Sequence, residues 1–90
     1  MSGPFQIIIP PAFERDARRI TRRNPAVATL LEEMVSILEA APFNRTRQSD
    51  ITKLTGVKTG QGQWRIRQGD YRLRYDIFGR EVVLYSIRHR

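Results

Sequence analysis

The sequence predicts an α+β fold: an N-terminal strand, an α-helical hairpin, then a twisted antiparallel sheet. Three observations predict it. Phe5–Ile9 is a short apolar run rich in β-branched residues, closed by Pro10-Pro11. Between Pro11 and Ala41 the apolar residues recur with helical period, with one interruption at Asn24-Pro25. From Gln63 the period changes to two and stays there.

Each element follows in order. Phe5–Ile9 reads as a buried strand, and Pro11 suits the first turn of the next helix. Phe13, Ala17 and Ile20 fall on one face of that helix, and Arg22 and Arg23 stand at its end, where the helix dipole favours cations. Asn24-Pro25 restarts the chain, with Asn24 as N-cap and Pro25 at the first helical position. Val27, Leu30, Leu31, Met34, Val35, Leu38 and Ala41 then form one apolar stripe, which Pro42 ends. Residues 43–50 are polar and irregular. Ile51–Val57 reads as a strand, and Gly56 through Gly62 as a loop carrying Lys58.

Ninety residues make one domain, spanning 1–90. With no cysteine, disulfides, thiol chemistry and cysteine-based zinc sites are excluded. One histidine, His89, cannot build a metal site alone, so neither metal nor cofactor is expected. No apolar run approaches the ~20 residues that span a bilayer, and the N-terminus has no export signal. A cytoplasmic protein without membrane contact is the expectation.

The net charge of +7 is unevenly distributed. Residues 1–44 hold five basic and five acidic groups; residues 45–90 hold eleven and four. Fourteen of the sixteen basic residues are arginine, which forks onto phosphate and stacks on bases. Such asymmetry points to nucleic acid or an acidic protein partner.

The excess is concentrated in a hairpin. In Trp64-Arg-Ile-Arg67-Gln-Gly-Asp70-Tyr71-Arg72-Leu-Arg74-Tyr75, Gly69-Asp70 fits a two-residue primed turn. That turn sets Arg67 opposite Arg72 and Arg65 opposite Arg74. Ile66 then faces Leu73, and Trp64 faces Tyr75. All four arginines share one side of the sheet, and the apolar residues share the other. Like charges directly opposite are destabilising. Breaking a local rule in this way is a mark of a functional site, and a polyanion would relieve the repulsion. A second turn at Gly79-Arg80 pairs Phe78 with Glu81. Strict alternation then gives Val82, Leu84 and Ser86 to the core face, and Val83, Tyr85, Ile87 and His89 to the arginine face. Arg88 points away. Tyr85 falls beside Arg74, where it could stack on a base or serve only in sheet packing.

At these residues the sequence resembles the RelE/ParE superfamily, the toxins of type II toxin–antitoxin systems. The resemblance covers nearly the whole chain. It is carried by Lys53-Leu54-Thr-Gly56, by the Gly69-Asp70-Tyr71-Arg72 hairpin with Tyr75, by Val82-Val83-Leu84 and by the closing His89-Arg90. It implies a cognate antitoxin as partner, with DNA contacted only through the antitoxin complex. For the RelE-like branch it implies an mRNA interferase: an endoribonuclease that enters the ribosomal A site, cleaves mRNA by 2′-hydroxyl attack on the adjacent phosphate, and so inhibits translation. Carried over by position, Arg65, Arg67, Arg72 and Arg90 are the candidate catalytic residues. Lys53, Lys58, Arg74 and Tyr85 are the candidate RNA-binding residues. Arginine is a poor general base, and the chain has no tyrosine after Arg90, where the family often carries one. His89 is the candidate for proton transfer. The ParE-like branch, which inhibits DNA gyrase, shares the fold and the hairpin. A toxin that acts only by binding its antitoxin is a third reading.

Overall fold

Pro10 and Pro11 divide the first strand from the first helix, and the rest of the chain follows the same punctuation. In a computed structural model, which describes residues 4–45 and 47–90, the elements are β1 (Gln6–Ile8), α1 (Pro11–Arg23), α2 (Ala26–Ala40), β2 (Ile51–Lys53), β3 (Trp64–Gln68), β4 (Tyr71–Phe78) and β5 (Glu81–His89). They form a five-stranded sheet in the order β1-β5-β4-β3-β2, with the helices over one face.

β2 to β5 are antiparallel, as expected, but β1 lies parallel to β5 with Ile7 opposite Val82. The sheet is therefore mixed. A parallel neighbour needs a long crossover, and the helical hairpin lies within the connection from β1 to β5. At the helix joint the expected positions shift by one: Pro25 is the N-cap of α2, with no side-chain capping bond, and Asn24 is the C-cap of α1. Its backbone carbonyl accepts the Val27 N–H instead (3.0 Å), and the Pro25 carbonyl accepts that of Ala28 (3.1 Å). The joint is so short that backbone groups close the first turn without a side chain. β2 is shorter than the expected strand: it ends at Lys53, and Gly56 at φ +79 turns the chain away.

Phe13 and Ala17 of α1 and Val27, Met34 and Leu38 of α2 are buried. Except for Val27, they pack on Ile66, Leu73, Tyr75, Val82, Leu84 and Ile87 of the sheet. The hairpin register is the expected one, from Trp64↔Tyr75 to Gln68↔Tyr71. Gly69 at the first central position has φ +59, a backbone angle that favours glycine.

β5 departs from strict alternation. Tyr75 pairs with Leu84 but Arg74 pairs with Ser86, so Tyr85 is the extra residue of a β-bulge. Beyond it the faces exchange. Ile87 pairs with Leu73 and is buried in the core, whereas Ser86 and Arg88 lie opposite Arg74 and Arg72. The placement of Ile87 and His89 on the arginine face, and of Arg88 away from it, is thereby corrected. An apolar residue at 87 is seated at the cost of one unpaired residue.

Tyr75 ties the sheet to the end of α2. It is wholly buried, and its hydroxyl donates to the Pro42 carbonyl (2.6 Å). Burial raises its pKa far above the ordinary 10.0. Above pH 10.0 the unfolded chain releases this proton while the folded chain keeps it. Stability is therefore unaffected by this group below that pH and falls as the pH rises beyond it. Tyr75→Phe is expected to lose about 1 kcal/mol at neutral pH, where the Pro42 carbonyl is left unpaired, and to flatten the alkaline decline. Denaturant midpoints at neutral and alkaline pH measure both.

Candidate nucleic-acid interface

The sheet face away from the helices gathers cations because alternation along three adjacent strands puts them there. Arg65 comes from β3, Arg72 and Arg74 from β4, and Arg88 from β5 beyond the bulge. Arg90 joins them because its backbone N–H donates to the Asp70 carbonyl (2.7 Å), which fastens the chain end to the hairpin turn. These five arginines, with Leu54, Ser86 and His89, line a cleft of about 300 Å³. Among the described residues, no Asp or Glu side chain lines it.

Arg72 occupies the centre. Across the sheet it stands between Arg67 on one side and Arg88 on the other. Its Nε is buried and has no hydrogen-bond partner among the described residues. A buried donor left unpaired costs about 1–3 kcal/mol, and two flanking like charges add to that cost.

The neighbouring arginines have other engagements. Arg67 shares the face, but its Nε donates to Asp50 Oδ2 (2.8 Å) and its backbone N–H to the Asp50 carbonyl (2.9 Å). It does not line the cleft. Arg74 lines the cleft, yet two of its donors go to the loop before β3: Nε to the Gly62 carbonyl (2.9 Å) and Nη2 to the Gln61 carbonyl (2.8 Å).

Other expected site residues lie elsewhere. Lys53 pairs with Trp64 and so belongs to the helix-covered face, where its ammonium sits 5.7 Å from the Trp64 ring centroid. Lys58 is exposed in the loop and does not line the cleft. His89 borders the cleft, but its ring packs edge-on against Tyr71, its register partner, at 4.9 Å. Tyr85 stands beside Arg74, whose Cζ is 5.5 Å from the ring centroid. Among the described residues, no three His, Cys, Asp or Glu side chains converge as metal ligands.

The family model described as the ParE toxin of a type II toxin–antitoxin system, parDE, matches residues 7–90. The chain belongs to this ParE toxin family. The toxin's fold is similar to that in the crystal structure of the toxin–antitoxin complex RelBE2 from Mycobacterium tuberculosis, with 24% identity, 97% of this chain and 99% of that chain covered, and a TM-score of 0.72. It is also similar to the structure of the RelB–RelE antitoxin–toxin complex from Methanococcus jannaschii, with 19% identity, 91% and 88% covered, and a TM-score of 0.53. At these identities the likeness shows the fold. Among curated proteins, none matches the sequence.

Sequence reasoning missed three residues of the toxin's cationic face. Arg88 and Ser86 were hidden by the bulge, although the apolar series Val82, Leu84, Ile87 carries the signal: its spacing slips from two to three, with a serine where the core should continue. Asp50, the partner of Arg67, lies in an irregular segment with no period to place it. Among the described residues, no helix of the toxin is long and apolar enough to cross a membrane.

Proposed function

We propose that this toxin acts on translated mRNA, holding a phosphodiester in the arginine cleft and promoting its cleavage at the ribosome. The observation that carries the reading is Arg72. A buried Nε without a partner, flanked by two further arginines, suits an oxyanion that arrives with the substrate. In the reaction the ribose 2′-oxygen bonds to the adjacent phosphorus and the P–O5′ bond breaks. The products are a 2′,3′-cyclic phosphate and a free 5′-hydroxyl. Extra negative charge builds on the phosphorane between these steps. Preformed cations aimed at such charge are commonly the largest contribution to catalysis. With no Asp or Glu side chain of the described residues on the cleft and His89 turned onto Tyr71, the chain's own part is electrostatic, and protons exchange with solvent.

The description of the matching family as ParE favours a second reading, inhibition of DNA gyrase. Primer extension on a message translated in a cell-free extract, run beside a gyrase supercoiling assay, separates the two. Cuts confined to translated codons are expected. Lost supercoiling with intact message would replace the nuclease reading by the gyrase one. In either case the partner is an antitoxin, whose acidic groups would suit the cationic face; the two similar solved structures are themselves antitoxin–toxin complexes.

A further inference from the structure

The connection between β2 and β3 is clamped onto the outer face of the sheet. Asp76 is 2% exposed, and its carboxylate accepts three backbone N–H groups of that loop. Gly60 and Gln63 donate to Oδ1 (2.9 and 3.0 Å) and Gly62 to Oδ2 (2.9 Å). Arg74, two residues earlier on the same face, donates to the carbonyls of Gln61 and Gly62. Gly62 has φ +73, and a Cβ there would stand 2.7 Å from Tyr85 Cδ2 and 3.0 Å from Arg74 Nε. Loop backbone, guanidinium and tyrosine ring are thus one packed ledge.

Tyr85 is the bulge residue of β5 and is 47% exposed. A single exposed aromatic needs no explanation. This one is set apart by its surroundings: the bulge aims it, the glycine admits it, and Arg74 packs against it. Arg74 also lines the phosphate cleft, so one guanidinium touches both the cleft and the ring. In a nucleotide, base and phosphate are joined through one ribose. An aromatic side chain beside a cationic groove is the arrangement by which single-stranded nucleic acid is held, with bases stacked and phosphates paired.

We infer that Tyr85 on this ledge is a nucleobase-stacking subsite for the RNA whose phosphate enters the cleft, with Arg74, Asp76 and Gly62 as positioning residues. The inference rests on the mRNA reading above. Stacking on tyrosine tolerates any base, so the subsite contributes affinity and alignment rather than a preferred sequence.

The test uses labelled toxin and bacterial ribosomes programmed with a message whose A-site codon is 2′-O-methylated to prevent cleavage. In a parallel series one nucleotide of that codon is abasic, at each position in turn. Because phosphate contacts make binding salt-dependent, ionic strength is held fixed. At one position the missing base is expected to weaken wild-type binding about tenfold. Tyr85→Leu should bind the full codon as weakly as the wild type binds that abasic one, and should not distinguish them. Tyr85→Phe and Tyr85→Trp should keep the discrimination, and Gly62→Ala should reduce it. Undiminished discrimination in Tyr85→Leu would overturn the subsite, as would wild-type protein that binds every abasic codon as well as the full one; the RNA reading would survive both. A toxin that binds no programmed ribosome would remove the RNA reading and the subsite with it.

Discussion

Arg72→Ala is expected to lower mRNA cleavage about 10²–10³-fold, the usual cost of deleting one preformed donor to a developing oxyanion, without unfolding the protein. The two halves of this expectation have one origin. The Nε of Arg72 is buried without a partner, and Arg67 and Arg88 face it from the adjacent strands. Deleting the side chain removes an unpaired donor and two repulsions, so the denaturation midpoint should hold or rise. Arg72→Lys keeps the charge but loses the planar fork and should recover only part of the rate. Cleavage kinetics on programmed ribosomes and urea denaturation of the same variants provide the readouts. Full activity in Arg72→Ala, or collapse of its fold, would contradict the role given to this residue.

Asp76→Asn is expected to show the opposite signature, a loss of stability of about 2–3 kcal/mol. The carboxylate accepts three N–H groups with acceptor oxygens only. Asparagine offers one oxygen, so its amide N–H₂ would confront a backbone N–H. Bonds to a charged acceptor are also stronger than those to a neutral one. Amide exchange should locate the damage, with protection lost at Gly60, Gly62 and Gln63 and retained across β3 and β4. Unchanged protection at these three amides would mean that the loop is held by something else.

The parts of this fold legible in the sequence are those where one period runs unbroken. Trp64 to Tyr75 alternates without a fault around Gly69-Asp70, and the register came out pair for pair. The helical hairpin was legible because two prolines mark its starts and a third its end. The cationic site was legible to the extent that it follows this alternation. Arg65, Arg72 and Arg74 line the cleft; Arg88 lies past the bulge, where counting by two gives the wrong face. Charge alone did not reveal engagement. Arg67 reads like its neighbours until Asp50 folds against it, and Lys53 reads like a candidate until Trp64 takes it to the other face. The parallel placement of β1 has no local signature either, since a short apolar run fits beside any strand that leaves an edge open.

The bulge at Tyr85 behaves like a frameshift written in side chains. Removing Tyr85 itself would close the bulge into plain alternation, with Leu84 inward, Ser86 outward, Ile87 inward and Arg88 outward, each opposite the partner it has now. Deletion of Tyr85 should therefore damage the strand far less than deletion of Ile87, which would leave no apolar side chain opposite Leu73. Relatives that lack the extra residue would keep the residues matching Ser86, Ile87 and Arg88 on the faces they have here, by alternation alone. When such sequences are aligned, the place for a one-residue gap is here, and a gap set elsewhere in the strand would equate arginines that line the cleft with residues that face a helix.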